Sequence, residues 1–541
     1  MLVLVLLVAV AGRVAALALF TDVFAFDQTG TIHGSEAYDT YARNLLTTNI
    51  YGITPGVPDA LIPPLYSYAL SVIYAAFGRG YWQVGGFHIV LDLISMVMLY
   101  AIVVRVVRTS VRTNAAAEWV ATLSVAFYAF YPYLIFQNLT LIDTPFFMTL
   151  MHAFVLAVVL LREEPRLDSP TVLLAILAGF ALGLATLSRP ILPVLAVFVA
   201  LWFLFRLSLW QTILRLGVVA VISVLVLIPW IIRNQDVYGG AFVPMSVTSG
   251  SNLWQGNSPY TIPYLQAGYD VQWTSPNLTA QDLDSPQADQ ERMQQVFAFW
   301  RDNPDLLPEL FWTKFLVHWS IDIAPRLNPT SGELPRLEGQ PDVEATTGEA
   351  GELALGGLPP GDPVDAYAQP LFDQLGRTLH RFYFGGLLAL AVIGFLFSLR
   401  GWRDASLMWF VQIAMTAVYV LFHPSTRYRV PSDPLLFVLS ALALVTVWMW
   451  LFGRPPRSPR PPRARAPRRP RDPLDRPPES GDRGPAPRDS GWDDPLTGRS
   501  RPGGWEERDP LARDLRDRGS RRSRGGRRRT RSILAESPRR R

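Results

Sequence analysis

His33-Gly34-Ser35-Glu36-Ala37-Tyr38-Asp39-Thr40-Tyr41-Ala42-Arg43-Asn44-Leu45-Leu46 follows an apolar opening segment, residues 1–20, and leads through a Pro/Gly-containing loop to Pro63-Pro64-Leu65-Tyr66. Glu36 and Asp39 are three residues apart, so a helix would place them on one face. The opening segment is apolar apart from Gly12 and Arg13 and is long enough to cross a bilayer. It has no basic n-region and Arg13 interrupts its apolar run, so it reads as a retained first helix rather than a signal peptide. The two acids therefore belong to a membrane surface, not to a remote soluble domain.

Apolar stretches recur outward from this point, at about 84–107, 119–136, 141–161, 172–187, 191–205, 213–232, 384–399, 406–422 and 435–452, ten with the first. Mean hydropathy is +0.19 although almost nothing apolar follows position 453. The chain reads as an all-α polytopic membrane protein with about ten transmembrane helices. It divides into an N-terminal transmembrane region (1–233), an outward-facing loop domain (234–380), C-terminal transmembrane helices (381–452) and an Arg/Pro-rich tail (453–541). The tail holds 27 arginines against 13 acids, a net of +14 within a chain whose total is +5, and the acidic excess sits largely in 234–380. Such a tail reads as disordered, first a solvated topology anchor and second a contact for anionic lipid or a cytoplasmic partner. The outer loop carries helical patterns at 287–301 and 305–320 and a mobile Gly/Pro/acid stretch at 329–363. There is no cysteine, which excludes disulfides, thiolate metal sites and cysteine nucleophiles.

Arginine sets the orientation. Arg105, Arg108, Arg112, Arg162, Arg166, Arg206, Arg215, Arg400 and Arg403, with the tail, fall on one side if the spans alternate, and that side is cytoplasmic. Both termini are then cytoplasmic, while the Glu36 loop, the Asp143 turn and 234–380 face outward. Asn138-Leu139-Thr140-Leu141-Ile142-Asp143-Thr144-Pro145 places Asp143 at the mouth of a span, where a helix N-cap and a functional role are compatible. Glu36, Asp39 and Asp143 thus form a candidate acidic corner. Arg189, Arg233, Arg427 and Arg429 stand at outer membrane boundaries, where arginine is unusual. Any one can be a snorkelling headgroup contact; four on one face fit a lipid phosphate or pyrophosphate, whose oxygens match the guanidinium fork. No Walker loop, zinc-spaced histidine pair or Gly-x-Ser-x-Gly elbow occurs, so no nucleotide site, metal or cofactor is indicated.

These residues also carry a resemblance. Glu36 to Leu46 with Pro64-Leu65-Tyr66 resembles the first outer loop of C-type (GT-C) membrane glycosyltransferases, in particular the bacterial, family 39-like group related to protein O-mannosyltransferases and lipid A aminoarabinose transferases. It continues in Gly183-Leu184-Ala185-Thr186-Leu187-Ser188-Arg189-Pro190 and Pro229-Trp230-Ile231-Ile232-Arg233-Asn234. Phe242-Val243-Pro244 through Gly250-Ser251-Asn252-Leu253-Trp254-Gln255-Gly256-Asn257-Ser258-Pro259, and Arg427-Tyr428-Arg429-Val430-Pro431, complete the ordered set. The resemblance implies a GT-C-like fold in a bacterial plasma membrane and a polyprenyl-phosphate sugar as donor. It implies a hydroxyl acceptor on an extracytoplasmic protein, lipid or glycan, with Tyr38, Tyr66, Asn252 and Trp254 on the acceptor side. One catalytic acid is implied in the first outer loop and a second in the next. Relatives often carry an Asp, or an Asp-Glu pair, three or four residues before the motif tyrosine, where this chain has Gly34 and Ser35. The first acid is therefore Glu36 or Asp39, with Glu36 nearer the family's position, and Asp143 matches the second by position.

The reaction so implied is a direct, inverting displacement, with an acid as general base and arginines holding the leaving phosphate. The rival is a transporter or flippase for lipid-linked sugars, which predicts polar residues deep in several helices and broken helices near the midplane. Asp92, Asn114 and Gln412 are the sequence's main candidates for that. Nucleic acid is not an expected partner.

Overall fold

A backbone removed from water must satisfy its own N–H and C=O groups, so the apolar runs fold as helices. The computed structural model describes residues 1–20, 35–166, 168–274, 276–325 and 370–453; the stretch 329–363 and the tail beyond 453 lie outside them. In chain order the first helices are α1 (Leu2–Leu19), α2 (Ser35–Thr48), α3 (Leu65–Phe77), α4 (Tyr81–Val106), α5 (Asn114–Ala129) and α6 (Pro132–Asn138). Next come α7 (Thr144–Glu163), α8 (Ser169–Ser188), α9 (Leu192–Leu204) and α10 (Leu209–Val237). The loop segment contributes α11 (Ser249–Gln255), α12 (Thr261–Ala267), α13 (Pro286–Asp302) and α14 (Leu307–His318). The chain returns with α15 (Pro370–Ser398), α16 (Trp402–Leu421), α17 (Thr426–Arg429) and α18 (Asp433–Phe452).

Among the described residues seven helical stretches are long and apolar enough to cross a membrane, or eight if α5 and α6, bent by 57°, form one broken span. The expected ten differ for two reasons. Helix α9 has 13 residues, about 20 Å of rise, which is short of a ~30 Å hydrocarbon core. The 47-residue stretch Leu375–Leu421 counts once by composition, yet it folds back on itself. The Phe395 and Trp409 rings meet at 4.7 Å and Trp409 Nε1 donates to Ser398 Oγ at 3.0 Å. Fourteen residues of continuous helix would hold those rings about 21 Å apart. Helices α15 and α16 are therefore two limbs, as their separate apolar runs indicated.

The core lies where α4 packs on α5 and α7, α18 on α5 and α15, and α8 on α7 and α10. Small residues permit the last crossing: a Cβ on Gly179 would stand 2.7 Å from the Val219 carbonyl oxygen, and one on Gly183 2.7 Å from Val226 Cβ. Close backbone approach of this kind is how helices associate in lipid. Arg13, an interruption of the apolar run in sequence, is 1% exposed. Its Nε donates to Asp92 at 2.8 Å and its Nη1 to the Ala129 carbonyl at 2.8 Å, while Tyr128 donates to Asp92 at 2.7 Å. The pairing ties α1 to α4 and α5, because neither charge tolerates burial alone.

One end of the bundle carries a cap made of α2, the loop at 51–61 and α11–α14. Ala60 N–H donates to Tyr238 Oη (2.9 Å), and Val247 N–H to the Ala60 carbonyl (3.0 Å). Lys314 fastens the cap to α16: its Nζ donates to Gly256 O, Asn257 Oδ1, Leu421 O and Phe422 O at 2.8–3.3 Å. Gly256 allows that seam, since a Cβ there would lie 1.7 Å from the Phe422 carbonyl oxygen. Gly256→Ala should therefore lower stability by about 1–3 kcal/mol, read as a drop in thermal midpoint; an unchanged midpoint would mean the seam can open freely.

Candidate active site

Helix α2 is amphipathic, with Tyr38, Tyr41 and Ala42 buried at i, i+3 and i+4. Tyr41 bonds Asp59, whereas Tyr38 sets its ring edge-on to Tyr66 at 5.0 Å. Asp39 is 2% exposed and saturated. It accepts from Tyr74 Oη (2.8 Å), from Arg79 Nε and Nη2 (both 2.9 Å) and pairs with Arg43 Nε (3.0 Å). Glu36 falls in the first turn of α2, and its side chain lies outside the described residues.

Asp143 stands at the N-cap position of α7, yet its carboxylate makes no capping hydrogen bond. It faces Arg189 instead, accepting from Nε at 2.6 Å and Nη2 at 2.5 Å, while Nη2 also donates to Thr144 Oγ1 at 2.9 Å. The local sequence explains the geometry. Pro190 drives the residue before it out of the helical region, and Arg189 has φ −141° and ψ 118°. The chain leaves α8 there and the guanidinium reaches α7. Burial works against the Arg189 charge, but the Asp143 carboxylate outweighs it and holds the pKa above its usual range.

Further charged groups converge on two tyrosines. Burial and the Asp143 charge push the Tyr38 phenol above its ordinary range, with Arg427 and Arg189 near enough to oppose them. Tyr428 lies within electrostatic reach of Arg427, Asp270, Arg189 and Asp143. It stacks on Tyr419 at 5.0 Å, and its hydroxyl lies 3.3 Å from His423 Nε2. His423 in turn contacts the Asn252 carbonyl at 3.2 Å, and burial lowers its pKa to about 4. Asn252 thus takes part through its backbone, and Trp254 is buried in a small cluster within the cap.

Two groups of residues escaped the sequence reading. Asp270 accepts from Gln272 N–H at 3.1 Å; burial pushes its pKa up to about 6 against the pull of Arg427. One more acid in an acidic segment carries no signal in sequence. Gln137 and Asn138 are buried at the end of α6, just before the turn to Asp143, and Gln137 Oε1 and both Asn138 amide atoms lack partners. Such groups in a folded protein ask for a ligand or water. His88 lies beside them, 2.7 Å from Tyr66 Oη and 3.4 Å from the Asn138 carbonyl.

The four boundary arginines separate into two kinds. Arg233 donates to the carbonyls of Asp59 (2.5 Å) and Tyr51 (2.6 Å), clamping the cap to α10. Arg429 is fully buried, pairs with Asp433 at 3.3 Å and donates to the carbonyls of His318 (3.0 Å) and Ser320 (2.7 Å). Only Arg189 and Arg427 join the group around Tyr38 and Tyr428. Among the described residues no set of three or more His, Asp or Glu is arranged to hold a metal ion.

The chain is similar to solved structures of the oligosaccharyltransferase of Archaeoglobus fulgidus. One holds Zn and sulfate (TM-score 0.45, 13% identity, 83% of this chain and 49% of that one), and another is the apo form (TM-score 0.45, 15% identity, 84% and 51%). It is also similar to ArnT from Cupriavidus metallidurans bound to undecaprenyl phosphate (TM-score 0.33, 16% identity, 82% and 77%). The chain spans about half the length of the oligosaccharyltransferase chains it matches. No family model matches it, and no curated protein is similar to it in sequence.

Proposed function

We propose that this protein is an integral-membrane glycosyltransferase that moves a sugar from a polyprenyl phosphate to a hydroxyl on an extracytoplasmic acceptor. One observation carries the reading. Asp143, Arg189 and Arg427 come from separate elements and lie within electrostatic reach of both Tyr38 and Tyr428, with Asp270 within reach of Tyr428, at one end of an apolar bundle. The donor's tail stays in lipid while its phosphate reaches the arginines. In the reaction a carboxylate takes the acceptor's hydroxyl proton, the acceptor oxygen bonds the anomeric carbon from the opposite side, and the carbon–phosphate-oxygen bond breaks. Polyprenyl phosphate leaves with the bonding pair, and Arg189 and Arg427 stabilise the charge that develops there. Glu36 is the expected base. Gln137 and Asn138 offer unmet hydrogen bonds of the kind sugar hydroxyls satisfy.

The experiment is reconstitution of the purified protein with polyprenyl-phosphate sugars and a panel of hydroxyl acceptors, reading release of polyprenyl phosphate. Arg427→Ala should weaken donor binding roughly ten- to a hundredfold, the cost of one charge-assisted hydrogen bond, with acceptor affinity little changed. Equal donor affinity in the variant would return Arg427 to a headgroup contact.

The bent α5–α6 pair and the mid-bundle Arg13–Asp92–Tyr128 network are features the transporter reading predicts. Those polar groups bond one another rather than line a path, which favours the enzyme. Movement of an intact lipid-linked sugar across vesicles, without release of polyprenyl phosphate, would reverse that preference.

A further inference from the structure

At the end of α7 remote from Asp143, a cavity of about 150 Å³ is lined by Arg105, Arg108, Arg162 and Arg206 together with Glu163 and Asp404. That volume holds about five waters at liquid density. Its floor is rigidly built. Arg162 Nη1 pairs with Asp404 at 3.0 Å and Nη2 donates to the Arg403 carbonyl at 2.8 Å. The same guanidinium lies 3.7 Å from the Trp202 ring, whose Nε1 donates to the Asp404 carbonyl at 3.1 Å. Asp404 also accepts from Thr109 Oγ1 at 2.9 Å and from Arg206. A single carboxylate is thus shared by two arginines, and Arg105 meets Glu163 only at 3.4 Å.

Four guanidinium groups against two carboxylates leave the lining with two uncompensated positive charges. Two observations locate the surplus. Arg162 is buried, and its Nε has no hydrogen-bond partner. Arg108 is exposed at the rim and, among the described residues, has no ion pair. Exposed Leu201, Leu204 and Trp402 flank this end of the bundle, so an apolar chain can lie beside the charged mouth.

We propose that this cavity is a binding site for a phosphate group, separate from the candidate active site and engaged by Arg105, Arg108, Arg162 and Arg206. The forked, multiply donating lining suits the several oxygens of a phosphate group, which more than one guanidinium can meet at once. The phosphate can belong to an anionic lipid headgroup or be free in solution, and two arms of one experiment separate them.

The full-length protein and Arg108→Glu are compared; Arg108 is exposed and makes no ion pair among the described residues, so its replacement leaves their packing intact. In the first arm, native mass spectrometry follows binding of phosphatidylglycerol against phosphatidylcholine. In the second, thermal midpoints are measured in inorganic phosphate and in chloride at equal ionic strength. A headgroup site predicts one retained phosphatidylglycerol in the wild type, bound roughly tenfold more weakly by the variant. A free-anion site predicts stabilisation by phosphate over chloride that Arg108→Glu loses, with no preference between the lipids. Arg105→Gln should reproduce whichever loss is seen. The proposal is overturned if neither phosphate source binds the wild type, or if the variants bind both as the wild type does.

Discussion

Glu36→Gln should lower single-turnover sugar transfer by ~10²–10⁴-fold, the usual contribution of a general base, while donor binding is retained. Asp39 has both oxygens occupied by Arg79, Arg43 and Tyr74. Asp143 is forked by Arg189. Asp39 therefore has no lone-pair site left for an incoming hydroxyl, and Asp143 is committed to orienting Arg189, so Asp39→Asn should cost stability rather than chemistry. The competitor is Asp270, whose pKa is raised to about 6 beside Arg427. A carboxylate acts as base only when ionised, so with Asp270 in that role transfer would fall as pH drops through about 6. That limb would vanish in Asp270→Asn along with ~10²–10⁴ in rate. If Asp270→Asn shows this loss and Glu36→Gln transfers normally, Asp270 is the base. If both transfer at wild-type rates, the enzyme reading loses its centre.

The membrane helices were legible because a bilayer imposes one rule on every span, and that rule is written in composition. Even the α15–α16 hairpin shows as two apolar runs parted by Arg400 and Arg403. Arg189 was half legible: Pro190 announces the helix end, but nothing announces Asp143 as its partner 46 positions earlier. The four boundary arginines look alike in sequence and differ in the structure because of what the loops present to them. Arg233 meets the carbonyls of Tyr51 and Asp59, and Arg429 those of His318 and Ser320. Backbone oxygens carry no sequence signature, so the capture of an arginine by carbonyls is invisible until the chain is folded. Arg13 and Asp39 illustrate the same limit, with partners 79 and 40 residues away.

Asp143→Ala should destabilise the protein by roughly 3–5 kcal/mol, the cost of leaving one member of a buried ion pair without the other. The larger effect is on the donor site, because Asp143 fixes the direction of the Arg189 fork. These two consequences separate in the double variant. Asp143→Ala/Arg189→Ala removes both charges, so much of the lost stability should return. Donor affinity should not return, since the guanidinium proposed to meet the phosphate is gone, and it should stay at least about tenfold below wild type. Arg189→Lys is the finer probe: an ammonium keeps the charge but cannot bridge Asp143 Oδ1 and Oδ2 and face a phosphate with one planar group. It should fold better than Arg189→Ala and still bind donor weakly. Thermal unfolding and donor titration on the wild type and these four variants decide the matter. Recovery of both stability and wild-type donor affinity in the double variant would make the pair a structural fastener between α7 and α8, and the phosphate contact would then rest on Arg427 alone.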